Sequence, residues 1–524
     1  MILAIMVLLI GSLLAAGALA AVTGDIHLTG ADTSTKKAYY AAMAGIDQYQ
    51  YQLNANPNYW ITCPPATSAS VKVPGTTDEE YTSKTLPATG HTTCEKEKQS
   101  TIVETSGTFR VESTGTSGGK TRSIVATFTH PGFLNYVYFT NYEVADPTTK
   151  TPVPANCEHY YTYRVEHFLT GECGPIQFAP KDKVNGPLHT NDAAAICAEG
   201  ASKPTFGRTI KDKIEMGGEG KPPVGHYAAG GSCANEPNFV GTYTTEAPTL
   251  LPPETDSELL SSAGYIFKGK TIIELKSGSP TNTMKVITGG KEETKNFPTN
   301  GVVYVETSSG GCSISYSPFK TNYTSDTGCG NVYVSGTYTA SLTIAAAGDV
   351  IINGNLTTTT EASGKPTGGA TLGLIATGFV RVYHPVGTTY AGTCKSGDAS
   401  LGGGKCEYKN VAGSCDAPNL NATEDPNKWG SLTPVIDAAI LSTHHSFIVD
   451  NFTCGASLGE LTVWGAIAQF WRGPVGTGGS PSTGYVKNYN YDERLAAQQP
   501  PNFLSPSTTA WHITRETAPP SGFG

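Results

Sequence analysis

The stretch NVYVSGTYTASLTIAAAGDVIINGNLT, residues 331–357, strings together short aliphatic and β-branched runs bounded by Gly and Asn. Runs of this length and composition read as strands, and Gly and Asn read as the corners between them. Working outward, the same texture continues. GVVYVET (301–307), ATLGLIATGFVRVYHP (370–385), PVIDAAILSTHHSFIVDNF (434–452) and LTVWGAIAQFWRG (461–473) follow one another with no helix of ordinary length between them. Hairpin signals are few. Small repeated rungs with Gly and Asn corners predict a parallel β-helix, a solenoid, whose period is broken by insertions such as 390–430. A β-sandwich is the alternative.

From Cys173 towards the N-terminal side of this region the strands are shorter, as in GPIQFAPKDKVNGPLHTND (174–192) and KPTFGRTI (203–210). Residues 211–300 read as a loop-rich insertion with a few strands, among them KTIIELK and MKVITGG. The solenoid ectodomain is therefore placed at 146–473. After it, 474–524 carries Pro500-Pro501 and Pro506, which oppose regular elements. Its aromatic residues Tyr485, Tyr489, Tyr491, Phe503 and Trp511 are expected to pin a tail onto the solenoid wall.

The opening run MILAIMVLLIGSLLAAGALAAV, residues 1–22, has no charged side chain. At ~1.5 Å per residue, a run of this length covers the ~30 Å hydrocarbon core of a bilayer. Ala18-Leu19-Ala20 also fits a signal-peptidase site, but no Lys or Arg precedes Lys36. A retained membrane helix is expected. Tyr39, Met43, Ile46, Gln50 and Leu53 then alternate at spacings of four and three, which extends the helix as an amphipathic stalk to residue 55, ahead of Pro57. Residues 56–145 form a small β region with a disulfide-tied loop. GTFRVESTGTSGGKTRSIVATF, 107–128, is its hairpin candidate, turning at the Gly-Gly pair.

The chain has 524 residues, of which 15% are charged, with 60 Gly, 34 Pro and a net charge of −9. No basic cluster exceeds pairs such as Lys36-Lys37, which sets nucleic acid aside as a partner. Twelve cysteines stand at 63, 94, 157, 173, 197, 233, 312, 329, 394, 406, 415 and 454. None has the CxxC spacing of zinc or redox sites, so Cys63, Cys94, Cys157, Cys173, Cys197, Cys233, Cys312, Cys329, Cys394, Cys406, Cys415 and Cys454 are disulfide candidates in an exported chain. Sequence does not fix their connectivity. Closing the shortest loops pairs 63 with 94, 157 with 173, 197 with 233 and 312 with 329.

Three stretches stand together: the anchor running into KKAYYAAMAGIDQYQYQL, then IQFAPKDKVNGPLHTNDAAAI with PTFGR, and the closing run from WGAIAQFWRGPVGTGG through YVKNYNYDERL to AWHI. They resemble the PilX-type proteins of type IV pilus assembly, including their large solenoid-bearing relatives in Gram-positive bacteria. Together they cover about a third of the chain. The resemblance implies a bacterial minor pilin-like or pilus-assembly protein at the cell surface, bound to the membrane through 1–22. It implies other pilin-like subunits as partners. Pilin-like precursors carry Glu at the fifth position of the helix, and here no Glu precedes Glu79.

Catalytic constellations are sparse. His444 and His445 are adjacent, so on a strand they would point to opposite faces and could not share an ion. His189 and Asp192 have no third partner at a readable spacing. A pectate-lyase-like enzyme would need a repeat-aligned Asp/Arg cluster on one face, whereas Asp349, Asp437, Asp450, Arg381 and Arg472 read as isolated. The expectation is a structural surface protein with no catalysis and no cofactor. The alternatives are an adhesin or carbohydrate-binding ectodomain with an exposed aromatic stripe, and a polysaccharide-degrading β-helix enzyme. The sequons at Asn322, Asn355, Asn421 and Asn451 are read as chance matches in a Thr-rich chain.

Overall fold

The computed structural model describes residues 2–55, 59, 70–86, 102–103, 108–129, 132–150, 152–154, 157–160, 173–278, 282–314, 316–319, 321, 323, 325–385, 389–391, 399–403, 405–407, 434–454, 457–478, 482–496, 498–506 and 512–517. Side chains at 15–29 lie outside this description. The chain divides into two compact units, Met1–Pro131 with Ala510–Gly524, and Gly132–Thr509.

The first unit is a long helix, Ile2–Ala55, and an antiparallel sheet. Thr108–Ser117 and Lys120–Thr129 form the hairpin, turning at Gly118 and Gly119, both at positive φ. Glu80–Leu86 pairs on one side and His512–Thr517 on the other. Ala38, Ala41, Ala42, Ile46, Tyr49 and Leu53 are buried on the helix, at spacings that make one face. The face is rotated from the expected one: Ile46 and Leu53 belong to it, but Tyr39 is 44% exposed. The reason is size. Gly115 of the sheet lies so near Ala38 and Ala42 that a Cβ there would strike the helix backbone, so the contact line runs through the small residues. Tyr49 reaches Thr85 with its hydroxyl, at 3.0 Å.

At its other end the helix turns apolar side chains outward. Ile5, Met6, Val7, Leu8, Leu9, Ile10, Leu13 and Leu14 are all between 49% and 73% exposed. Among the described residues no helix is long and apolar enough to cross a membrane. Of the run 1–22, only 5–14 has described side chains.

The second unit is built mainly from parallel pairings, not from the facing antiparallel sheets of a sandwich. One column of paired residues shows the arrangement: Tyr265, Val303, Ile344, Leu374, Ile440, Ile467, Tyr138, Leu188, Ile214 and Tyr243, each beside the next. A second ladder stacks Ile273, Val334, Ile352, Val382 and Val449. A third stacks Leu356, Ile436, Val463, Tyr489, Val184, Phe206 and Phe239. Most of these side chains belong to one continuous core.

The order along the first column is not the order of the sequence. Ser457–Arg472 lies beside Tyr138–Ala145, so the end of the chain's progression abuts its beginning. After Thr242–Thr244 the chain must return to the far edge at Tyr265–Lys268, and residues 245–264 make that return along the outside of the first ladder. Leu250 exchanges hydrogen bonds with Asn191, and Asp256 accepts from Tyr304 and Thr377. Leu250 and Leu259 cover Tyr304, Ile375, Leu441, Ala468 and Phe139. Strands covered on both faces read as continuous apolar runs, which is why 372–376 and 438–441 show no alternation.

Several expected boundaries shift. Tyr138–Ala145 belongs to the second unit because it pairs there. Residues 211–300 contribute ladder strands, the return segment and an antiparallel hairpin, Thr283–Thr288 with Lys291–Asn296, rather than an insertion. The tail expected from 474 holds Thr483–Tyr491, a strand of the third ladder with Tyr485, Tyr489 and Tyr491 buried. Trp511 lies outside the described residues.

Disulfides join Cys157 to Cys173, Cys197 to Cys233 and Cys312 to Cys329, the shortest-loop pairs. Cys454 is also disulfide-bonded. The positions expected at 63, 94, 394 and 415 lie outside the described residues, as does the side chain at 406.

Candidate functional site

Arg381 sits in Val380–Val382, between Ile351 and Ile448 of the neighbouring strands. Its neighbours Val380 and Val382 point into the core, so Arg381 points outward. It does not reach solvent, because the segment closed by Cys312–Cys329 carries Tyr316 and Tyr323 over it. Arg381 donates from Nε and Nη2 to Asp450, at 2.9 and 3.0 Å, and from Nη1 to Asp349, at 2.9 Å. Tyr316 and Tyr323 donate to the same Asp450, at 2.7 and 2.9 Å. The Tyr316 ring lies 4.2 Å from the guanidinium carbon. Burial, then the Asp450 charge, push both phenols well above their usual range. The arginine and aspartates that read as isolated are thus one cluster.

This is the repeat-aligned Asp/Arg grouping that an enzyme reading asks for. Its chemistry is nonetheless committed. Asp450 accepts four hydrogen bonds, and Asp349 accepts from Arg381 and from the Phe379 amide. A general acid or base needs a proton or lone pair available to substrate. Those of Asp450 are held by the fold, whereas Asp349 accepts two bonds, one on each oxygen.

A cavity of about 630 Å³ opens beside the cluster, bordered by Tyr316, Asp349, Phe379, Arg381 and His445. His445 lies in the bend after Val435–Ser442 rather than on a strand. Its ring stacks on Phe379 at 4.4 Å, and its Nδ1 is 2.6 Å from Asp146. Asp146 also caps the turn Pro147–Thr149. His444 is exposed over much of its surface, and the partial desolvation of its ring, then the neighbouring His445, lower its pKa. An Asp–His pair can orient an imidazole for nucleophilic catalysis. Among the described residues no hydroxyl or thiol is hydrogen-bonded to Nε2 of His445.

Other predicted positions are tied within the core. His189 Nδ1 is 2.9 Å from Glu215, which also accepts from Tyr136, while Nε2 is 3.0 Å from Asn191. Burial pushes the Glu215 carboxyl up, but the bonds from His189 and Tyr136 bring it below its usual value. Asp192 accepts instead from the amides of Ala193 and Glu143. Asp437 is buried, accepts from the Thr358 amide, and has its pKa raised by burial to about 7. Asn451, a sequon position, is buried.

Arg472 pairs with Glu143 at 2.5 Å and lies 3.6 Å from the Phe178 ring centre. Close by, Lys487 Nζ donates to Asp182 at 2.7 Å. Sequence reading missed Tyr316, Tyr323, Glu143, Asp146, Asp182 and Lys487. Most of these partners are too far apart in sequence for spacing to reveal them. One faint signal existed: Gly348-Asp349-Val350-Ile351-Ile352 and Gly378-Phe379-Val380-Arg381-Val382 are in phase, which stacks Arg381 one rung from Asp349. Among the described residues no group of three or more His, Cys, Asp or Glu could hold a metal ion.

No family model and no curated protein matches the chain. Among solved structures, the competence-associated pilin ComZ from Thermus thermophilus aligns over 93% of this chain and 97% of that one, at 12% identity and a TM-score of 0.32. A likeness that loose carries no argument about this chain.

Proposed function

We propose that the chain is a structural surface protein, a minor pilin-like component or assembly factor of a type IV pilus-like system of the PilX type. In this reading 1–22 is a single-pass membrane anchor, and Gly132–Thr509 is a parallel β-solenoid displayed outside the cell. The observation that carries the reading is the two-part character of Ile2–Ala55. Its Ala38–Leu53 portion is buried on the sheet of its own unit, while Ile5–Leu14 exposes eight large apolar side chains. An apolar helix surface of that kind is stabilised by hydrocarbon or by other apolar helices, and so fits a membrane before assembly and neighbouring pilin-like subunits after it.

The protein acts in this reading by display and contact, without turnover, and needs no cofactor. The support is that Asp450 already accepts four hydrogen bonds, from Arg381, Tyr316 and Tyr323, and that Asp349, on the cavity wall, is paired with Arg381. The test is to shear filaments from native cells, image them by cryo-microscopy and map their peptides. Subunits of this chain in the sheared fraction support the reading. Reproducible cleavage of pectin, alginate or peptidoglycan, abolished by Asp349→Asn, would replace it with an enzyme.

A further inference from the structure

Of the lysine–carboxylate pairs among the described residues, Lys487–Asp182 is the one with both side chains under a tenth exposed, at 8% and 1%. Nζ stands 2.7 Å from Asp182 Oδ2. The carboxylate is fixed from two further directions, by the Ala179 amide at 2.8 Å and the Lys487 amide at 3.0 Å. Beneath lie Phe178, Arg472 and Glu143, with Lys487 Nζ 5.9 Å from the Phe178 ring centre. Burial lowers the pKa of Lys487, against the opposing pull of Asp182. Keeping two ions here forfeits the hydration of both charges. A neutral product would not bear that cost.

We propose that Lys487 and Asp182 become joined by an intramolecular amide bond between Nζ and Cγ. The ammonium passes a proton to the carboxylate across their hydrogen bond, leaving an amine and a carboxylic acid. The nitrogen lone pair attacks Cγ, the Lys487 amide holds the oxyanion developing on Oδ1, and the Ala179 amide stays on Oδ2, the hydroxyl that will leave. The Cγ–OH bond then breaks, its oxygen taking the second nitrogen proton, and one water leaves. Ammonium and carboxylate become amide and water, so no further reactant is required. The cavity of about 520 Å³ that both residues line gives the water an exit.

The position gives the bond a purpose. Lys487 lies in Thr483–Tyr491, whose Asn488 and Tyr489 pair with Lys183 and Val184. Together with Ser457–Arg472 against Tyr138–Ala145, this is where late strands meet early ones. The two residues are 305 apart in sequence, so their pairing closes a long loop, which costs more entropy than a local one. A covalent tie there would lock the junction.

The test is peptide mapping of the full-length protein, purified folded, then reduced, alkylated and digested. The expected main species is a branched peptide joining the segments that contain Asp182 and Lys487, lighter than their sum by one water. In Asp182→Ala the two segments should separate as linear peptides. Linear, unmodified peptides bearing Asp182 and Lys487 as the main species from wild-type protein would overturn the proposal, whether or not the variant folds. A branch from Lys487 to any other residue would overturn it as well.

Discussion

Arg381 grips both carboxylate oxygens of Asp450, a residue 69 positions further along the chain, and reaches Asp349 with its remaining terminal nitrogen. The trio bridges successive strands of one ladder, and two tyrosines of the Cys312–Cys329 segment close it off.

Removing Asp450 should therefore leave the buried Arg381 with one carboxylate in place of two, and Tyr316 and Tyr323 without the acceptor of their hydroxyls. Asp450→Ala is expected to lower stability by about 3–5 kcal/mol, the range for breaking a buried ion pair. Equilibrium denaturation of the variant against wild type measures it. A loss below about 1 kcal/mol, the scale of an exposed pair, would show that the cluster is open to water.

Asp437 makes stability depend on pH in a defined direction. Burial raises its folded pKa to about 7, above the unfolded value of ~3.9. Its contribution is thus fully present below the unfolded value and is lost as pH rises through about 7. Asp437→Asn should remove this loss, gaining on the order of a few kcal/mol over wild type at pH 8 and little at pH 4. Denaturation midpoints across that range decide it, and an unchanged or reversed difference would count against a buried, neutral carboxyl.

The Cys312–Cys329 bond holds the segment bearing Tyr316 and Tyr323. Replacing both cysteines by Ser should cost about 2–4 kcal/mol, as expected for a short closed loop. It should also speed amide hydrogen exchange around Arg381. Exchange that speeds up only within 312–329 would detach the loop from the cluster.

How far the sequence disclosed this depends on distance along the chain. The stacked strands were legible because Val350–Thr357 and its neighbours carry their own aliphatic runs and Gly or Asn corners. The hairpin around Gly118-Gly119 was legible for a similar local reason. What stayed hidden was non-local. Nothing near Tyr138–Ala145 announces that it pairs with Ser457–Arg472, and the prolines that follow Thr483–Tyr491 make that strand read as tail. The helix face is hard to read because Ala38, Ala41 and Ala42 carry little hydrophobic signal, although smallness is what the contact with Gly115 requires. At the site, Arg381, Asp349 and Asp450 were each visible, and their pairing with one another was not.

That close contact is itself testable. Gly115→Leu would drive a side chain into the backbone of Ala38 and Ala42, and should cost at least about 1–3 kcal/mol, the scale of overpacking. Hydrogen exchange should accelerate in Thr108–Ser117 and in the helix around Ala42. Protection equal to wild type would mean that helix and sheet are not packed as described.

The exposed apolar start of the helix offers the most direct test of the pilin-like reading: fractionation of the full-length chain from its native cells, with the mature N-terminus determined by mass spectrometry. The reading predicts that the protein sediments with membranes or sheared filaments and retains Ile5–Leu14. Leu9→Arg should reduce that fraction, because a cation at mid-span costs ~2.5–3.5 kcal/mol on insertion scales. A main species beginning at Ala21 and released into the medium would contradict it, leaving the opening run as an export signal alone.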